Sequence, residues 1–277
     1  MRILRRAPVH LVLWLICAVW LAPVVGLFVS SLRPASDVAA SGWWTVFRHP
    51  AFTPANYRDV LTAQGLGAGF FNSMVIAAPA TAIPLLIAAY AAYAFAWMAF
   101  PGRGALFALM VMLLVVPLQT TLVPVLRLFT AAGLTGTFPA LWLAHTGYGL
   151  PLAVFLLRNF IGGLPPDVLD SAAIDGAGAA QTFFRVVLPL SLPAVASLAI
   201  FQFLWVWNDL LVALSYLGGR PSVAPLTDTI AGLVSSLGSG WHLLTAAAFV
   251  SMVLPLAVFF TLQRYFVRGL VAGAVKD

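Results

Sequence analysis

Trp205, Trp207 and Asn208 set two aromatic rings and an amide within one helical turn, and Gln119, in Pro117-Leu-Gln-Thr-Thr, adds a second amide. Aromatic faces cover the C–H side of a sugar ring, while amides and acids take its hydroxyls. These four residues and Asp209 are therefore candidates for a solute pathway. An acid such as Asp209 inside an apolar stretch marks a water-lined path or a partner contact, and a hydrated interfacial position serves it equally well. His145 has no second His or Cys at helical spacing, so no metal site is read from it. The single cysteine, Cys17, excludes both a disulfide framework and a cysteine zinc site. All eight acids are Asp, there is no Glu, and the Asp are spread over loops and ends, so no acid–base cluster for an intramembrane enzyme is visible. The sole lysine is Lys276, far from any glycine-rich loop, so the chain cannot hydrolyse ATP through a P-loop.

These residues sit in a chain of 277 residues that is 62% hydrophobic and 8% charged. Ordinary soluble domains carry about 25% charge, so a soluble protein is ruled out. A bilayer core of about 30 Å needs roughly 20 apolar residues of helix to cross it. Six long gaps between charges answer that need: Val9 to Leu32, Phe70 to Phe100, Gly104 to Leu126, Phe138 to Leu157, Leu192 to Leu217 and Leu243 to Leu262. The reading is an all-α integral membrane protein with six spans, formed by residues 1–277 as one transmembrane domain. Arg2, Arg5 and Arg6 ahead of the first gap resemble a signal-peptide start. The run exceeds the usual 7 to 15 residues or so of such a segment and lacks an A-x-A-like exit, so it is expected to stay in the membrane.

Lys and Arg set the orientation. With the N-terminus inside, Arg2, Arg5, Arg6, Arg103, Arg158, Arg185, Arg264, Arg268 and Lys276 lie inside, nine against the five of Arg33, Arg48, Arg58, Arg127 and Arg220 outside. Both termini are thus expected in the cytoplasm. Residues 33–69 and 218–242 become external loops, and Trp43, Trp44 and Trp241 suit an interface belt there. Residues 158–191 become the largest internal loop.

That internal loop is patterned. Pro165 and Pro166 suit a helix start, with Asp167 and Asp170 in the first turns, where the helix dipole favours anions. Asp175-Gly176 interrupts the helix, and a second short helix over 177–187 is expected to end at Leu188-Pro189. Leu169, Ala172, Ile174, Phe183, Phe184 and Val187 are more apolar than a solvated loop allows, so something covers them. The chain's own spans and a separate cytoplasmic protein are the two candidates.

Asp170-Ser-Ala-x-x-x-Gly176, nine residues, then Val186-x-Leu188-Pro189 resembles the E-A-A-x-x-x-G-x(9)-I-x-L-P loop of binding-protein-dependent ABC importer permeases, with the same spacings. Asp170 replaces Glu, Ser171 replaces Ala and Val186 replaces Ile. Trp205 to Asp209 resembles the W-N-E/D step of carbohydrate permeases, and residues 263–277 resemble their C-terminal tail. The likeness is nearest to the smaller, six-span permease of maltose-type importers, and Ser41-Gly-Trp-Trp-Thr-Val-Phe is similar to the α-glucoside branch. The resemblance implies the type I importer permease fold in a bacterial inner membrane, multi-pass. It also implies a second permease subunit, two copies of a cytoplasmic ATPase that hold ATP and Mg, and an external sugar-binding protein. No cofactor or metal is implied for this chain, and no nucleic acid. Docking to the ATPase would fall to Asp170, Ser171, Ala172, Asp175, Gly176, Ala177, Val186, Leu188 and Pro189. A permease of the same architecture for a non-sugar solute and an intramembrane enzyme remain the alternatives.

The charge count is tested by single cysteines. Those at Ala40 and Ser239 should react with an impermeant reagent from outside, and one at Ala180 only once the inner face is opened. Labelling of Ala180 from outside would reverse the orientation.

Overall fold

The computed structural model describes residues 2–233 and 240–274, with side chains over 8–233 and 240–263. Ser239, Lys276 and the side chains of Arg2, Arg5, Arg6, Arg264 and Arg268 lie outside the described residues. Within them the chain is helical, with no strand: α1 Arg2–Ser31, α2 Ala35–Ala40, a 3-10 turn Trp43–Phe47, α3 Ala55–Thr62, α4 Leu66–Trp97, α5 Arg103–Leu113, α6 Leu118–Ala131, α7 Phe138–Ile161, α8 Pro166–Ile174, α9 Ala179–Thr182, a π turn Phe183–Val187, α10 Leu188–Trp207, α11 Leu211–Leu217, α12 Leu226–Ala231 and α13 Trp241–Ala274. Five stretches are long and apolar enough to cross a membrane: Pro8–Ser31, Leu66–Trp97, Phe138–Ile161, Ala179–Trp207 and Trp241–Gln263.

The third expected span, Gly104 to Leu126, is not one helix. It is the pair α5 and α6, bent by 104° at the break between them, and it makes a sixth span only if the pair counts as one. Pro117 has no N–H and sits in extended backbone at φ −64°, ψ 131°, so the chain leaves the helix there and α6 restarts behind it. The fifth expected span, Leu192 to Leu217, also differs. Its helix stops at Trp207, and the short α11 follows after Asn208-Asp209-Leu210.

The chain forms two compact units. One gathers Met1–Gly69 and Thr229–Val253. In it Arg33 is buried: Nη1 donates to the Ser41 and Gly42 carbonyls at 3.2 and 3.0 Å, and Nη2 to Ser41 Oγ and Thr45 Oγ1 at 2.7 and 3.0 Å. Buried Asn56 donates to the Ser31 and Arg33 carbonyls at 2.9 and 2.8 Å, tying α3 to the end of α1. Trp44 and Trp241, two of the residues assigned to an interface belt, are exposed.

The other unit gathers Phe70–Asp228 and Leu254–Asp277. Its core joins α4 to α7. Ala88, Ala89 and Ala92 are buried against Ala153, Val154 and Leu157, small residues that let two backbones approach. Two prolines set the polar chemistry of this contact. A proline offers no N–H to the carbonyl four residues before it, and a membrane supplies no water to replace it. Pro79 frees the carbonyl of Val75 in this way, and Trp142 Nε1 of α7 donates to that oxygen at 2.9 Å. Pro84 frees the carbonyl of Ala80, and Gln202 Nε2 of α10 donates to it at 3.2 Å. Trp97 Nε1 donates to the Ile161 carbonyl at 2.8 Å and holds α4 and α7 together at their other ends.

Removing the indole donor by Trp142→Phe should cost about 1 kcal/mol or more of stability, the usual penalty for an unpaired buried carbonyl. The loss should shrink in a Pro79→Ala background, where residue 79 regains its N–H. A double-mutant cycle of unfolding midpoints in detergent checks this. Equal losses in both backgrounds would break the link between Pro79 and Trp142.

Candidate functional site

The loop 158–191 starts with α8. Pro166 stands at its first position, Asp167 lies in its first turn, and Ser171 Oγ donates back to the Asp167 carbonyl at 2.7 Å. It ends in a Schellman motif. The Gly176 N–H donates to Ala173 and the Ala177 N–H to Ala172, both at 3.0 Å, with Gly176 at φ +74°. Asp170, Ser171, Asp175 and Gly176 are exposed, Ala177 is half-buried and Ala172 is buried.

The second helix does not stop at Leu188-Pro189. α9, the π turn and α10 run on as one helix, Ala179–Trp207, so Pro189 lies inside it. The π turn makes this possible: the Leu188 N–H donates five residues back, to the Phe183 carbonyl, and the widened turn makes room for the proline ring. Val186 and Leu188 are half-buried and Pro189 is exposed.

The loop's apolar residues divide between two faces. Phe183 is buried against the rings of Tyr90 and Tyr93, at 5.0 and 5.9 Å, and Val187 is buried beside it. Ile174 is 85% exposed and Phe184 60% exposed. The chain's own spans cover one face, and Ile174 and Phe184 stay exposed on the other.

The fifth-span residues separate as well. Trp207 is buried, stacked on Phe203 at 5.6 Å and edge-on to Phe70 at 5.4 Å, which makes it a packing residue. Asn208 is exposed and donates to the Leu204 carbonyl at 2.7 Å, closing the end of α10. Asp209 holds the break between helices: its carboxylate accepts from the Val212 and Ala213 amides at 3.2 and 3.0 Å, and its carbonyl accepts from Thr227 Oγ1 at 2.6 Å. Its Oδ2 stands 3.6 Å from Nε2 of His145, which is buried. No group of three metal ligands occurs among the described residues.

Trp205 alone of the five candidates lines a cavity of about 760 Å³ beside the bend between α5 and α6. Gln119 is exposed and outside it. The polar groups that do line the cavity are Thr121, Tyr148 and Gln202, none of them singled out by the sequence. The Thr121 hydroxyl lies 3.1 Å from that of Tyr148, which lies 2.7 Å from that of buried Tyr216. The signal for Gln202 was present in α4, where two prolines leave two carbonyls that need donors from elsewhere.

Residues 84–271 match the family described as binding-protein-dependent transport system inner membrane component. The chain is 59% identical over 277 residues to the osmoprotective compounds uptake permease protein GgtD of Synechocystis sp., covering 99% of this chain and 93% of that protein. It is 53% identical over 253 residues to the alpha-glucoside transport system permease protein AglG of Rhizobium meliloti, covering 90% of this chain and 67% of that protein. Its fold matches a chain of a bacterial ABC transporter involved in the import of the acidic polysaccharide alginate, with a TM-score of 0.77 at 18% identity over 96% of this chain and 97% of that one. A helical chain with apolar spans and a matched region of this extent belongs to the family of binding-protein-dependent transport system inner membrane components, the permeases of importers.

Proposed function

We propose that this chain is one permease subunit of an ATP-driven importer of a neutral glycoside, and that it docks its cytoplasmic ATPase through residues 158–191. The observation that carries the docking is the divided loop. Phe183 and Val187 anchor it to the chain's own spans, while Ile174 and Phe184 offer an exposed apolar face. Gly176 stands at the exposed corner between the two helices. Two of the most similar relatives carry the solute descriptions alpha-glucoside and osmoprotective compounds, and an uncharged glycoside satisfies both. A second permease, two ATPase copies that hold ATP and Mg, and an external binding protein complete the assembly, with both termini of this chain in the cytoplasm. The chain does no catalysis of its own.

Coupling follows from helix continuity. α9 and α10 form one helix of 29 residues, about 40 Å at 1.5 Å per residue. The docking corner lies at one end and Gln202 and Trp205 near the other. Closure of the ATPases around ATP would push on the corner, and the same helix would carry that displacement to the cavity wall.

Gly176→Val tests the docking. A β-branched residue at φ +74° is strained by at least about 1 kcal/mol, yet beyond the two neighbouring residues no atom of the described residues lies within 4 Å of the added Cβ. Gly65→Val is a matched control, with φ +70° and equally open surroundings. Co-purification of the ATPase and solute uptake should fall with Gly176→Val and hold with Gly65→Val, at equal membrane abundance. Full ATPase association and uptake with Gly176→Val, or equal loss in both variants, would remove the docking assignment.

A further inference from the structure

The cavity beside the bend has one polar group whose direction is fixed by its surroundings. Gln202 Nε2 donates to the Ala80 carbonyl at 3.2 Å and faces the His145 carbonyl at 3.5 Å. Only the N–H end of an amide can meet two carbonyl oxygens, so Oε1 is the remaining end, and Gln202 lines the cavity. No donor among the described residues reaches Oε1. Gly149 makes room for the amide as a whole, since a Cβ there would fall 2.7 Å from Oε1 and 2.8 Å from Nε2. Gln202 is 8% exposed as a residue, yet its Oε1 is not sealed off from the cavity that it lines, so its partner comes from whatever enters there. That partner must donate a proton. The Thr121 hydroxyl donates to the Leu118 carbonyl at 2.6 Å and keeps its lone pairs for an entering donor, the Tyr148 hydroxyl is shared with Tyr216, and Trp205 adds a ring 38% exposed, perpendicular to the His145 ring with centroids 5.2 Å apart. No charged residue is among the described residues that line the cavity.

We infer that this cavity is a solute subsite in this chain's own wall, built for an uncharged, hydroxyl-bearing ring. Gln202 Oε1 accepts a ring hydroxyl, the Thr121 and Tyr148 oxygens accept from others, and Trp205 packs on the C–H face. The volume lies within the range of about 300–1,000 Å³ usual for small-molecule sites. An acyl chain or an apolar partner helix in the same place would leave Oε1 without a donor. An acidic sugar would meet no cation. The inference rests on the glycoside-importer reading and adds the residues that select the solute.

The test uses the whole importer in proteoliposomes, with its binding protein outside and ATP inside. Uptake of an α-glucoside is compared with that of a deoxy analogue lacking one ring hydroxyl. The same binding protein presents both solutes to every variant, so a change in their ratio belongs to the membrane site. Gln202→Leu and Tyr148→Phe should each lower glucoside uptake about fivefold or more, and the preference over the deoxy analogue should shrink with it. ATPase stimulation by the loaded binding protein should persist. In a Cys17→Ser background, alkylation of Thr121→Cys should slow severalfold when the α-glucoside saturates the importer, and not when a glucuronide replaces it. Should Gln202→Leu fail to assemble, Tyr148→Phe and the Thr121→Cys labelling decide alone. An unchanged solute ratio with Tyr148→Phe, together with labelling of Thr121→Cys indifferent to the glucoside, would overturn the subsite while leaving the importer reading intact. A wild-type importer that moves no glycoside would overturn both.

Discussion

A backbone carbonyl that loses its helical donor inside a membrane has no water to turn to, and α4 loses two. Pro79 and Pro84 free the carbonyls of Val75 and Ala80, and side chains of α7 and α10 supply the missing donors. The two prolines thus do more than bend a helix. They oblige Trp142 and Gln202 to face α4, and the small residues Ala88, Ala89 and Ala92 let α7 approach closely enough for the core to close. Packing and hydrogen bonding agree on the same register, which is the consistency expected of a sequence that specifies one structure.

The same constraint shapes the cavity. Once Gln202 spends its N–H on Ala80, its oxygen is the free end, and Gly149 leaves space for the amide. The bend at Pro117 turns α6 away from the line of α5, and residues of both helices and of the break between them, Leu113, Val116 and Thr121 among them, line the cavity. Proline therefore acts twice, once to aim a donor and once to turn the chain beside the cavity.

In the loop 158–191 the governing feature is a division of faces. A loop packed on all sides could not receive a partner, and one without an anchor could not transmit force. Phe183 and Phe184 are neighbours in sequence, one buried and the other 60% exposed, and the π turn that begins at Phe183 fuses the loop's second helix to the span that carries Gln202 and Trp205. The spacing from Asp170 to Pro189 has a physical meaning in this geometry. The distance from the glycine corner to Leu188-Pro189 sets how the exposed face is phased against a helix that continues through the membrane.

Helical class, the number of long apolar stretches and the positions of helix α8 and its glycine corner were legible in the sequence, because each depends on local rules: span length, charge gaps, proline at a helix start and glycine at positive φ. The breaks at 114–117 and 208–210 were not. A run of apolar residues reads the same whether its helix is straight or bent, and in the sequence Asp209 fits a water-lined path, a partner contact or a hydrated interface equally well, whereas in the structure its carboxylate accepts from the amides of α11. Trp205 and Trp207, two residues apart, necessarily point in different directions on a helix, and only the neighbours of each decided that one lines a cavity and the other packs in a core. Gln202 was passed over because its role depends on a carbonyl 122 residues earlier in the chain. The sequence by itself determined what had to be buried and which backbone groups would lack a donor. Which side chain met each need was decided by tertiary structure, since hydrogen bonds between distant helices form only once packing has set their register.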